Sequence, residues 1–192
     1  MTMVIDGNNG CTFPDSTVQT TTGKTGMVNR IINGAMVINQ RNTTVTANAT
    51  DNFYTVDRWR VRGETSDGVF TAAQSSTAPT GFQNSLLITI TTADASIGST
   101  QIYAVEQLIE GYNVADLGWG ASGASTVTLS FWVRSSLTGT FGGSLRNDAG
   151  NRSYPFTYTI SVANTWEQKT ITVTGDTTGT WEKTTSAGMW VN

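Results

Sequence analysis

Thr126-Val127-Thr128-Leu129-Ser130-Phe131-Trp132-Val133-Arg134 alternates between two faces without a break, which is the two-residue period of a β-strand. Val127, Leu129, Phe131 and Val133 fall on one face and belong in a core. Thr128, Ser130, Trp132 and Arg134 fall on the other. A large indole on a face of small hydroxyls is either covered by a loop or another chain, or is a platform for a ligand. Much of the functional question turns on Trp132.

The same period recurs on both sides of this stretch. Downstream, Tyr154, Phe156, Tyr158, Ile160 and Val162 alternate with Thr157, Thr159 and Ser161, beyond a Gly-rich turn expected at Gly142-Gly143. Asn164-Thr165-Trp166 then leads into Glu167 to Thr174, again with period two, and the chain reaches Trp181 and Gly188-Met189-Trp190-Val191-Asn192. The inner face of the opening strand is expected to pack against Phe156, Tyr158, Ile160, Ile171 and Val173. Upstream, residues 29–42 read as a first strand kinked at Asn33-Gly34. Residues 54–62 place Trp59 and Val61 on one side and Arg58, Arg60 and Arg62 on the other. Ser85 to Thr91 follows, then Gln101 to Glu110, whose alternation slips at Glu106 and Gln107 as at a bulge. Roughly eight short strands with turn signals between them predict a two-sheet β-sandwich.

Composition agrees and narrows the functions. The 192 residues suit one domain with an appendage. Frequent Gly, Thr and Ser favour strands and tight turns over helices. With 11 basic against 14 acidic residues there is no basic field for phosphate backbones, so nucleic acid is not an expected partner. Cys11 stands alone, which excludes an intrachain disulfide or a Cys-based metal site. No signal peptide opens the sequence and no apolar run reaches membrane-spanning length, so assembly in the cytoplasm without membrane insertion is expected. The sequons at Asn42, Asn48 and Asn151 then read as coincidences of composition.

Residues 1–28 differ from the remainder. Val4, Ile5, Phe13 and Val18 are separated by Gly, Asn and Thr and are too few to form a core, so the segment reads as an arm ordered by docking on a neighbour. The domain proper then spans residues 29–192.

Histidine is absent, which removes Ser-His and Cys-His nucleophiles and His-ligated metals. A glycosidase needs two carboxylates across a cleft, and Asp6, Asp15, Asp94, Asp148 and Asp176 are scattered, with Glu106 and Glu110 four residues apart. No enzymatic activity and no cofactor or metal are expected. The candidates for binding are Trp132, with Arg134 beside it on one face, and Trp119, set in a loop as Gly118-Trp119-Gly120. A sugar ring stacks on an indole while an Arg donates a fork of hydrogen bonds; the competing reading buries these side chains between subunits. Arg58, Arg60 and Arg62 read either as a site for acidic polysaccharide or as a solvated or intersubunit charged face. Trp59 and Trp166 are assigned to the core.

Two resemblances rest on these residues. The arm phrase Thr12-Phe13-Pro14-Asp15-Ser16-Thr17-Val18-Gln19-Thr20-Thr21 resembles one found in fibre and appendage proteins of tailed bacteriophages, where such segments intertwine or sit at trimer interfaces. From residue 29 to about 181, Asn33-Gly34, Val56-Asp57-Arg58-Trp59, Ile109-Glu110-Gly111-Tyr112-Asn113, Gly118-Trp119-Gly120, Leu129-Ser130-Phe131-Trp132-Val133 and Asn164-Thr165-Trp166-Glu167 are similar to jelly-roll carbohydrate-binding modules. They also resemble the C-terminal domain of tail-fibre-like virion proteins of marine and cyanobacterial phages.

The resemblance implies a jelly-roll β-sandwich with an extended N-terminal arm. It further implies a homotrimer in a virion fibre, spike or other appendage, with other virion proteins as neighbours and a host-surface polysaccharide as ligand. The alternative is a capsid decoration, cement or tail-bracing protein that binds no sugar. Two departures stand out. The family's closing strand, aromatic-x-Ile-x-x-Val-x-Leu, is not found before Asn192, and Ala35 and Met36 replace the acids that accompany a structural calcium.

Overall fold

The computed structural model describes residues 28–41, 44–47, 52–64 and 67–192, together with the backbone of three short strands nearer the start, β1 (Val4–Asp6), β2 (Gly10–Thr12) and β3 (Val18–Gln19). Those three pair antiparallel as a small sheet of their own. Phe13 lies outside the described residues, as do the side chains of Val4, Ile5 and Val18. The remaining strands are β4 (Thr44–Ala47), β5 (Asn52–Tyr54), β6 (Arg60–Glu64), β7 (Val69–Ser75), β8 (Ser85–Thr92), β9 (Ile102–Glu110), β10 (Val127–Val133), β11 (Gly139–Arg146), β12 (Ser153–Ile160), β13 (Glu167–Val173) and β14 (Ala187–Val191). One helical turn, α1 (Gly111–Val114), and a 3-10 turn at Ala115–Leu117 interrupt them. The fold is all-β.

A six-stranded sheet in the order β12-β11-β14-β9-β6-β5 forms the base, and two smaller sheets, β10-β13 and β4-β7-β8, share its inner face. Alternation along β9 sets this up: Tyr103 and Val105 pack toward Phe70, Ala72 and Ile88 of the β4-β7-β8 sheet, and Ile109, two turns of the pleat further on, joins the cluster under β10-β13. That second cluster buries Trp119, Leu145, Val173, Trp181, Met189 and Val191, with Val127, Leu129 and Ile171 packed against it. Phe131 is half-buried and meets Tyr158 of β12 edge-on, with ring centroids 5.1 Å apart.

Between the two smaller sheets lies a seam, and Gln107 closes it. Its side chain is fully buried. Oε1 accepts from Ile32 N at 2.8 Å and Nε2 donates to Ile32 O at 2.9 Å, so a buried amide is satisfied at both ends by one stretch of backbone. Residues 28–41 thereby bridge the seam. Arg30 bonds Asn113 O and Asp116 on one side, and Gln74 Nε2 reaches Met36 O and Val37 O on the other.

Several sequence expectations are corrected. Residues 29–41 form a turn and extended chain instead of a kinked strand, because Asn33 supplies the bonds a partner strand would have made. Its Oδ1 accepts from Val37 N and Ile38 N, and its Nδ2 donates to Ile38 O and Asp57 O. Arg58 is not in the strand with Arg60 and Arg62: it adopts a φ of 73° just before β6. β9 keeps its register against β6 as far as Glu106 and against β14 from Gln107 to Ile109; the slip in hydrophobicity reflects two buried polar residues on opposite faces. Gly142 and Gly143 lie inside β11, where a Cβ on Gly143 would come within 2.5 Å of the Phe156 ring. Ile171 and Val173 sit beside Leu129 and Val127 in the same sheet, as register partners, and do not face them across the core. Trp59 and Trp166 are half-buried, the Trp59 indole N–H donating to Asn33 O at 3.1 Å.

Candidate functional site

β10 and β13 pair antiparallel with Thr128 opposite Thr172, Ser130 opposite Thr170 and Trp132 opposite Gln168. Because the inner face of this ribbon is committed to the core, all of these side chains point outward. They form a strip of hydroxyls and amides with one aromatic ring, Trp132, 40% exposed. Gln168 Nε2 lies 3.3 Å from Ser130 Oγ, so the amide leans along the strip away from the indole.

Arg134 shares the face and is also exposed. Its Nε donates to Asn164 O at 2.8 Å, fastening the β12–β13 turn to the end of β10. Asn164 takes the left-handed conformation at φ 58° and its N–H donates to Ser135 O. Glu167 closes the turn from the other side, accepting from Ser161 N, Val162 N and Lys169 Nζ. Lys169, then those two backbone N–H groups, hold its carboxyl below the ordinary range. Trp132 therefore stands beside a fixed turn, with one Arg anchored next to it.

Trp119 does not join this face, which corrects the expectation of an exposed loop ring. It is 4% exposed, its Nε1 donates to Ser125 O at 2.8 Å, and it meets Trp181 edge to face at 4.6 Å. The flanking glycines explain the inversion. Gly118 and Gly120 have φ of 66° and 91°, and a Cβ on Gly120 would sit 2.7 Å from Gly179 O. These conformations fold the loop back and drive the indole inward.

The outer face of the base sheet carries the arginines. Arg60 Nε and Nη2 both reach Glu106 Oε2, the first at 2.9 Å, and Arg62 Nη1 lies 3.5 Å from Glu106 Oε1. Glu106 is 1% exposed, so this carboxylate is buried only because two guanidiniums cover it. Trp190 sits between Arg60 and Arg146, whose Cζ atoms lie 4.7 and 3.7 Å from its ring. Desolvation in this stack lowers the Arg146 pKa. Arg58 turns to the β9 end of the sheet and forks onto Glu110 at 2.7 and 2.9 Å, lowering that carboxyl. The three arginines expected on one strand face are thus spent on internal carboxylates.

The carboxyls of Asp94, Glu110, Glu167 and Asp176 are all displaced downward. A carboxylic general acid needs the opposite shift. No group of three or more His, Cys, Asp or Glu residues with metal-binding geometry occurs among the described residues, and no described helix is long and apolar enough to cross a membrane. Compared with protein-family models, curated proteins and solved structures, the chain matches none of them.

Proposed function

We propose that this chain is a non-enzymatic component of a bacteriophage virion, a jelly-roll domain with an N-terminal oligomerisation arm, whose Trp132 face touches host-surface glycans in a homotrimeric fibre, spike or other appendage. The observation that carries the glycan reading is the exposed indole of Trp132 on a strip of hydroxyls, with Arg134 held beside it. Among the described residues no hydrogen bond or ring contact engages that indole. The downward carboxyl shifts and the absence of His favour binding over catalysis.

A second reading, capsid cement or tail brace without sugar binding, is favoured by a different observation. Leu87, Ile90 and Ile97, on and just after β8, are 50%, 62% and 68% exposed, the kind of apolar surface that assembly covers.

Adsorption of the purified full-length oligomer to host cells separates the two. One stacked ring contributes only about 1 kcal/mol beyond its buried area, so several copies must act together and the oligomer is the right probe. Trp132→Ala is expected to keep its sedimentation coefficient and lose adsorption. Loss of assembly with no adsorption in the parent supports the cement reading, and a monomer in sedimentation of the parent overturns the trimer.

A further inference from the structure

We propose that the open side of the sandwich between β12 and β13 is a subsite for a neutral oligosaccharide, centred on Tyr154. This rests on the glycan-contact reading and adds a second place on the molecule and a sugar class. Among the described residues β12 pairs with β11 alone and β13 with β10 alone, so the two strands present their other edges to each other. Consecutive residues from both, Tyr154 to Thr157 and Thr170 to Thr172, line a groove of about 590 Å³. At Tyr154 this groove meets a second hollow of about 390 Å³ that reaches Trp181, Arg152 and Asp176.

The lining matches a polyhydroxylated, uncharged ligand. Tyr154 is 41% exposed at the junction and offers a ring face for stacking. The exposed hydroxyls of Thr157, Thr170 and Thr172 offer both donors and acceptors. Among the described residues that line the two hollows, Arg152 and Asp176 alone are charged, and they neutralise each other. Arg152 Nε and Nη2 each lie 2.7 Å from an Asp176 oxygen, and Nη2 also donates to Thr178 Oγ1 at 2.7 Å. Asp176 is further engaged by Thr178 N and Trp181 Nε1. Arg152 Nη1 makes no hydrogen bond to the described residues, which leaves a donor for a hydroxyl without a cation in search of an anion. An acidic glycan would need an unpaired positive charge that this lining does not hold.

The site is also set before a ligand arrives, which lowers the ordering cost of binding. Asn147, 1% exposed, donates to Asn151 Oδ1 and Thr180 O and accepts from Arg152 N. Gly179, at φ 77°, lets the Arg152 side chain lie over it, with Cδ 2.9 Å from where a Cβ would be. Addition of a peptide strand to the β12 edge is disfavoured, since Pro155 in mid-strand offers no N–H.

Calorimetric titration of the full-length protein with neutral cello-, malto- and galacto-oligosaccharides, and with oligogalacturonate, tests this. Tyr154→Ala and Thr157→Lys, both at exposed positions, are expected to weaken binding of a neutral oligomer about five-fold or more, beyond any loss from Trp132→Ala. If both variants bind like the parent while Trp132→Ala fails, the groove is overturned and the Trp132 reading stands. If Tyr154→Ala loses binding and Trp132→Ala does not, the groove stands and the Trp132 face falls. Binding of oligogalacturonate alone overturns the neutral class. Binding of no probe overturns the subsite and leaves the Trp132 face to the adsorption assay.

Discussion

The two small sheets lean on one base sheet but bury unequal cores. Beneath β10-β13 lies a cluster with Trp119, Trp181, Met189, Leu145 and Ile109 at its centre; beneath β4-β7-β8 the buried apolar cluster among the described residues is Val61, Phe70 and Ala72, with buried Thr55 bonded to Ala72 O. The cause is volume. On one side two indoles pack at right angles; on the other the described residues supply one buried ring, Phe70, with Val61, Ala72 and half-buried Leu86, Ile88, Tyr103 and Val105 around it. The dense half thus supplies the rigidity on which an exposed ring such as Trp132 is held, and the sparse half keeps apolar surface outside. On the function proposed above, the glycan-contact face lies on the dense half and the exposed apolar surface of β8 on the sparse one.

The widest break of this comparison comes from its largest side chain. Trp181→Ala, at a site 7% exposed, is expected to cost about 3–5 kcal/mol in urea melts, because the facing Trp119 ring and the backbone around Gly120 cannot close the cavity. Phe70→Ala, at 3% exposure, is expected at the low end of that range, since half-buried Leu86 and Tyr103 have room to shift. An equal or larger loss at Phe70 would mean that the two halves are alike in packing.

Much of this asymmetry was hidden in the sequence. The alternation of Val127 to Val133 placed β10, its inner face and the outward Trp132 correctly, because a long unbroken period leaves one arrangement. β7 was missed, since Thr71, Ala72 and Ala73 give no contrast between faces, and β11 was read in part as a turn because of Gly142 and Gly143. Their missing side chains in fact make room for Phe156. Trp119 was misplaced for a related reason: glycines suggest an exposed loop until the left-handed φ values show which way the loop bends. The groove at Tyr154 joins edges of strands that face each other only in the folded chain, so no local pattern announces Arg152 and Asp176 as neighbours.

The seam between the halves is sharpened by Gln107→Ala. Removing the amide takes the partners from Ile32 N and Ile32 O at a part-buried junction and empties the fully buried Gln107 site, at an expected cost of about 1–3 kcal/mol. Leu is the informative companion variant, since it restores volume and not hydrogen bonds. If Gln107→Leu recovers the parent stability, the seam is held by packing alone; if it matches Gln107→Ala, the two hydrogen bonds hold residues 28–41 in place. Hydrogen exchange at Ile32 N, accelerated in both variants while exchange in β10 stays slow, locates the effect at the junction.

The smallest effect expected is one of pH, and it belongs to the dense half. Arg152 above all, then the Thr178 N–H and the Trp181 indole N–H, hold the Asp176 carboxyl below its ordinary range against the opposing effect of partial burial. A lowered folded pKa means that the unfolded chain binds more protons just above it, so stability rises with pH in that interval. The contribution is complete above the unfolded value of about 3.9 and is lost as pH falls through the folded one. The pair is partly exposed, with Arg152 at 40%, so solvent screens much of it. Asp176→Asn keeps the shape and removes the titration. Urea melts followed by tryptophan fluorescence are therefore expected to show a gap between parent and variant that is constant from about pH 7 to about pH 5 and narrows below about pH 4. A gap that persists unchanged at about pH 2 would show that Asp176 serves Trp181 and Arg152 through hydrogen-bond geometry and not through its charge.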